Sequence, residues 1–289
     1  MYNFTALVRR NIKVYLRDRA AVFFSFLSVI ILLGLYFLFL GRQYTSGDEF
    51  ASIDGKIKDF LSVSVIMGGV LVINTVSLSL GVMGSVVSDL ETKRIQGFLV
   101  TPVARLKISF AYYLSSFIVT TFFTLLMWLL TILYAGIFTG YWYSFLTIIY
   151  VSLLLILFTF ISSTLMIFIV TLIKSQNAFG ALAGVLGTVI GFMSGIYIPL
   201  FVLGESLTKV SSLNPFTHMT IMLKQVLLKE PYALLDPHFA AAIKEPFGSA
   251  EIGVLGFDVA IIYIILATIL LSFLFLFLSY RNMNKKMRK

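Results

Sequence analysis

The chain has 289 residues, of which 59% are hydrophobic and 12% charged, with 22 Lys and Arg against 13 Asp and Glu and no cysteine. A water-soluble domain carries about twice that share of charge, so these values point to an integral membrane protein, and they exclude disulfides and thiolate metal sites. The net charge of +9 could mean nucleic acid, but its distribution along the chain explains it better and calls for no such partner.

Residues 1–19 open the chain with a helical pattern. Phe4, Leu7, Val8, Ile12, Tyr15 and Leu16 recur at spacings of three and four, with Arg9, Arg10, Lys13 and Arg17 on the other side. Such a segment lies at the interface under anionic headgroups. The basic start is not the head of a cleaved signal, because the apolar run after it is too long and no small-residue cleavage site follows at Gly41-Arg42-Gln43.

Six segments are apolar enough for helical spans, which need about 20 residues: 20–40, 60–87, 108–134, 143–173, 178–200 and 258–280. None has a Lys, Arg, Asp or Glu in its central part. The segments 1–19, 88–107, the turn at Lys174 and the C-terminal tail hold 15 of the 22 basic residues. The connections near 41–59 and 201–257 hold the other seven against ten acids, counting Asp258 at the boundary. The excess of Lys and Arg assigns both termini and 88–107 to the cytoplasm. The expected fold is therefore all-α: one multi-pass domain over 1–289, with an interfacial helix, six spans and cytoplasmic termini in the cell membrane.

Residues 88–107, SDLETKRIQGFLVTPVARLK, place six charges, Gly97 and Pro102 between spans two and three. Ser88 and Asp89 suit a helix N-cap with Glu91 as capping-box partner. Gly97 is expected to end that helix, and Thr101-Pro102 to begin the next segment. A short surface helix results, more than topology alone requires.

In the fifth span Gly180, Gly184, Gly187, Gly191 and Gly195 fall at spacings of 4, 3, 4 and 4. That bare face suits close packing on another span, a subunit interface, or a smooth wall of a substrate path. Pro199 interrupts the pattern, and 201–257 follows as a half-apolar outer segment with a second break at Asn214-Pro215. Backbone of this kind is tolerated at membrane depth inside protein or against water, so short re-entrant outer helices are expected. Asn74 is the most polar side chain within the spans, either hydrogen-bonding between helices or lining the path.

His218 and His238 are far apart, no metal-ligand cluster or catalytic constellation stands out, and no GxxxxGK[ST] phosphate loop is present. The chain is thus not expected to be an enzyme, to bind a metal, or to hold a cofactor of its own.

With these features in order, Glu91, Lys93, Gly97 and Pro102 in the cytoplasmic loop and Gly195, Tyr197, Pro199, Asn214 and Pro215 after the fifth span, the chain resembles the type-2 ABC exporter permeases. The resemblance covers most of its length. It implies a half-size permease with separate ABC ATPase subunits that carry ATP and magnesium, and a second permease subunit, identical or different. It also implies that Glu91, Lys93, Arg94 and Gln96 dock in the ATPase, that Gly97, Thr101 and Pro102 shape that contact, and that Tyr197, Pro199, Asn214 and Pro215 form an outer gate. Uncharged spans suit an amphiphile drawn from membrane lipid: a drug, a lipid or an antimicrobial peptide. Two alternatives stand beside it. A secondary-active multidrug or lipid transporter usually needs ionisable residues at midplane. A lipid-linked polysaccharide exporter would need aromatic rows, for which Tyr112, Tyr113, Trp128, Trp142 and Tyr143 are available unless they form an interfacial belt.

Overall fold

The computed structural model describes residues 2–24, 27, 47 and 50–287, and among them the chain is helical with no strand. Its helices are α1 (Tyr2–Arg17), α2 (Gly55–Glu91), α3 (Arg94–Leu99), α4 (Arg105–Tyr134), α5 (Phe145–Leu172), α6 (Gln176–Met193), α7 (Glu205–Ser211), α8 (Pro215–Ala233), α9 (Pro237–Ala242) and α10 (Ile261–Lys286). Five are long and apolar enough to cross a membrane: α2, α4 with its π-helical extension Ala135–Thr139, α5, α6 and α10. The first expected span, 20–40, lies mostly outside the described residues.

The long helix α2 is the hub. It packs against α4, α5, α6 and α8, and its buried face runs from Phe60 to Val87. Hydroxyls stitch this face to its neighbours. Thr75 Oγ1 lies 2.7 Å from Ser162 Oγ, and Ser79 Oγ lies 3.0 Å from Ser163 Oγ. Asn74 Nδ2 donates to Thr124 Oγ1 at 3.5 Å, and Thr121 meets Thr159 at 2.8 Å. Lipid supplies little hydrophobic drive between helices, so bonds of this kind, at about 0.6 kcal/mol each, and close packing hold such a bundle. Asn74 is fully buried and joins this seam through its amide nitrogen, while its Oδ1 has no partner among the described residues.

The two ends of the bundle differ. At one end the basic segments converge: Arg105 donates to Asn284 at 3.2 Å, Lys286 reaches the carbonyl of Ile173, and α1 lies across α4. At the other end Phe50, Leu61, Val65, Leu228, Ile243 and Phe247 form a separate apolar cluster. There the Glu230 carboxylate accepts from Ser144 N at 2.9 Å and from Thr147 Oγ1 at 2.5 Å, which caps α5.

Several boundaries differ from the sequence reading. The fifth span was expected to continue to 200, yet α6 stops at Met193. Gly195 takes φ +67, and Tyr197 N and Ile196 N turn back to the carbonyl of Gly191. Asn214 and Pro215 begin a helix and do not break one: the Asn214 side chain accepts from Phe216 N and Pro215 occupies the first turn. The α8 that follows is largely buried. In α1, Leu16 was placed on the apolar face, but it is exposed, and Asn11 is buried in its stead. A helix wound at 3.6 residues per turn drifts from a strict three-four spacing over four turns.

Candidate coupling surface and the charge cluster beneath it

Between α2 and α4 the chain makes a compact projection. The helix α2 runs without interruption through Ser88 and Asp89, so neither residue is an N-cap and Glu91 closes no capping box. The break falls at Lys93, whose φ of 58 is left-handed, a conformation costing a non-glycine residue about 1 kcal/mol. The short α3 then carries Gly97 inside it; contrary to expectation, Gly97 does not end the helix, which closes at Val100. Thr101 Oγ1 donates to the carbonyl of Phe98 at 2.6 Å, and Pro102 lies in the turn before α4.

Ile95 is the one buried residue of α3, and Phe98 and Leu99 pack half-buried against the same core. Glu91, Lys93, Arg94, Gln96, Gly97, Thr101 and Pro102 all face outward, and Val100 at the tip is 87% exposed. A Cβ placed on Gly97 would meet nothing within 4 Å. Glycine in a helix interior costs about 1 kcal/mol relative to alanine, and no contact among the described residues explains that choice here.

Beneath the projection is a charge cluster that the sequence reading missed. Asp89 is 1% exposed. Both terminal guanidinium nitrogens of Arg10 reach its carboxylate, Nη1 through a contact to Oδ2 and Nη2 to Oδ1 at 2.9 Å, and Tyr112 donates its hydroxyl to Oδ2 at 2.7 Å. The same guanidinium lies over the ring of Phe98 in α3, 5.3 Å from its centroid. The hydrogen bond to Asp89 raises the Arg10 pKa and outweighs the opposing effect of burial. One ion pair thus joins α1, α2, α4 and α3. Phe4 stacks on Phe110 and Ser115 donates to the Val8 carbonyl at 3.2 Å, which seats α1 along α4. Arg10 had been grouped with Arg9, Lys13 and Arg17, but only those three are exposed. The available signal was the spacing of Val82, Val86 and Asp89, which carries the buried face of α2 onto an acid.

Glu91 makes a different link. Its carboxylate accepts from the backbone N–H of Gln176 at 3.1 Å, at the start of α6, where a negative group complements the helix dipole. The Gln176 side chain donates to the Gly84 carbonyl at 2.9 Å, so the start of α6 is fastened to the end of α2 twice.

The glycine row of α6 divides in two. Gly191 is where the ring of Tyr197 folds down: a Cβ there would lie 2.2 Å from it. Gly195 serves the turn. Gly180, Gly184 and Gly187 meet no neighbour among the described residues, so packing among those residues does not account for them. Gly184, Gly187 and Tyr197, with Ser77, Arg94 and Gln176, line a space of about 940 Å³ between α2, α6 and the segment after α1. Pro199 opens the turn Leu200–Leu203, and Asn214 Nδ2 reaches Ser194 Oγ at 3.5 Å. Tyr197, Pro199, Asn214 and Pro215 therefore gather around the reversal that follows α6. Of the five aromatic residues, Tyr112, Tyr113, Trp128 and Tyr143 are buried, and Trp142 is exposed against Gly136.

Residues 2–228 match the ABC-2 type transporter family, and the chain belongs to it. No curated protein matches the chain. The protein is thus a membrane-embedded permease subunit of an ABC transporter, a class whose transmembrane component is not itself the ATPase and works with an ABC ATPase partner.

Proposed function

We propose that this chain is the permease of an ABC exporter in the cell membrane, with cytoplasmic termini, and that residues 88–107 are its joint to a separate ATPase. The observation that carries the reading is the exposed, glycine-bearing α3 projection standing on the Arg10–Asp89 pair. A movement of the projection has two rigid outlets: through Asp89 and Arg10 to α1 and α4, and through Glu91 to α6. Glu91 then acts chiefly within the chain, while Arg94, Gln96, Gly97 and Val100 form the docking surface.

The cargo is an amphiphile, a drug, lipid or antimicrobial peptide, which enters along the glycine face of α6 beside a second permease subunit. The burial of four of the five aromatic residues counts against a polysaccharide row. Outward transport follows from the resemblance to exporters. The test is transport and coupled ATP hydrolysis in reconstituted vesicles. Glu91→Ala and Gly97→Trp should abolish both while the protein still inserts, and full transport by both variants would refute the coupling role.

A further inference from the structure

The most isolated charge among the described residues is on α8. Lys224 is 3% exposed. Its stem crosses α2 at Gly68, where a Cβ would fall 2.6 Å from Lys224 Cγ; glycine is what lets a long side chain pass between the two helices. The described residues contain two ion pairs, Arg10–Asp89 and Lys209–Glu205, and neither includes Lys224. No described residue bonds its ammonium, which keeps a narrow contact with water. A charge drawn this far from water is retained at low cost only when it is paired, so an anion from outside the described residues would complete this site.

The amine has a way out. Nζ lies 3.1 Å from the position a Cβ would take on Gly248, which has φ +66. Gly248 in turn forms part of the wall of an open pocket of about 460 Å³, with Thr208, Lys209, Glu205 and Glu245. Lys209 is held by Glu205 at 2.7 Å and Glu245 is exposed, so among the described residues Lys224 is a cation without an ion pair behind that wall. Depth narrows the choice of anion. Gly68 lies about 29 Å along α2 from Val87, the inner end of the second span, at 1.5 Å per residue. A hydrocarbon layer is about 30 Å thick, so the Lys224 stem lies near the edge of the hydrocarbon in the leaflet opposite the 88–107 projection, within reach of its headgroups.

We propose that Lys224 and the Gly248 wall form a binding site for the phosphate of an amphiphile, a headgroup taken up at that leaflet. This rests on reading 201–257 as the outer segment, but it requires neither transport nor an ATPase. The test is therefore made on the purified full-length chain in detergent, by thermal unfolding with phosphatidylglycerol, with uncharged diacylglycerol, or with inorganic phosphate. Phosphatidylglycerol should raise the melting temperature of the wild type by several degrees, diacylglycerol should not, and Lys224→Met should lose the shift. Gly248→Ala, which places a methyl against the amine, should reduce it, and it provides a second reading if the Met variant folds poorly. Stabilisation by inorganic phosphate alone, lost in Lys224→Met, would uphold the phosphate site and assign it to the free ion. Equal stabilisation of wild type and both variants, or equal stabilisation by diacylglycerol, would overturn it.

Discussion

Arg10 and Asp89, 79 positions apart, form a two-pronged pair at the base of the 88–107 projection, and its two members are unequally buried. The Arg10 side chain is 29% exposed and that of Asp89 is 2%. Removing one partner of a buried pair costs about 3–5 kcal/mol, because the other is stranded. Arg10→Met strands the deeper charge and should therefore destabilise more than Asp89→Leu, which leaves an arginine able to turn toward water. The double variant should recover much of the loss. Thermal unfolding of the three purified variants checks the order; equal losses, or no recovery in the double variant, would contradict it.

Tyr112 contributes one hydrogen bond to that carboxylate. Tyr112→Phe should cost about 1 kcal/mol, the net value of such a bond, with some addition for the unsatisfied oxygen. The fall in melting temperature should be smaller than for either charge variant.

The glycines of α6 should separate by function. Gly191→Val drives a side chain into the Tyr197 ring and should destabilise by about 1–3 kcal/mol, in the range of overpacking. Gly184→Val meets nothing within 4 Å and should unfold close to the wild-type temperature. If Gly184 faces cargo or a second subunit, that variant should still lose transport or assembly. A Gly184→Val chain that both folds and transports normally would remove this face from the proposed function.

Lys224 gives a pH test in lipid-free detergent. Burial lowers its pKa from 10.5 to about 8. Between those values the unfolded chain holds the proton that the folded chain has released, so stability rises with pH in that window. Below about pH 8 the folded protein bears the cost in full. Lys224→Met should therefore melt higher than wild type at pH 7, with the gap narrowing as the pH is raised toward 10. A gap independent of pH would show that the lysine has found a partner.

Much of the helical layout was legible in the sequence, because spans are set by length and hydropathy, properties of contiguous residues. The ends were less legible. Asp89 looks like a helix start when only its local neighbours are considered; it is buried because Arg10 and Tyr112 arrive from elsewhere in the chain. Gly97 resembles a helix terminator for the same local reason, whereas the break is taken by Lys93, a residue with no intrinsic preference for a left-handed backbone. Charge, Gly97 and Pro102 drew attention to 88–107, and Pro199 and Asn214-Pro215 to the segment after α6, before the family resemblance gave them roles. It did not foretell that Glu91 would reach α6, since that contact depends on how two helix ends meet in space.

The central claim is that the α3 projection is where an ATPase attaches. The most direct measurement is co-purification of an ABC ATPase subunit with the tagged chain from membranes, comparing wild type, Gly97→Ala and Gly97→Trp at matched membrane levels. The wild type and the alanine variant should retain the ATPase, and the tryptophan variant, though folded and inserted, should lose it. Retention of the ATPase by Gly97→Trp at the wild-type ratio would contradict the account.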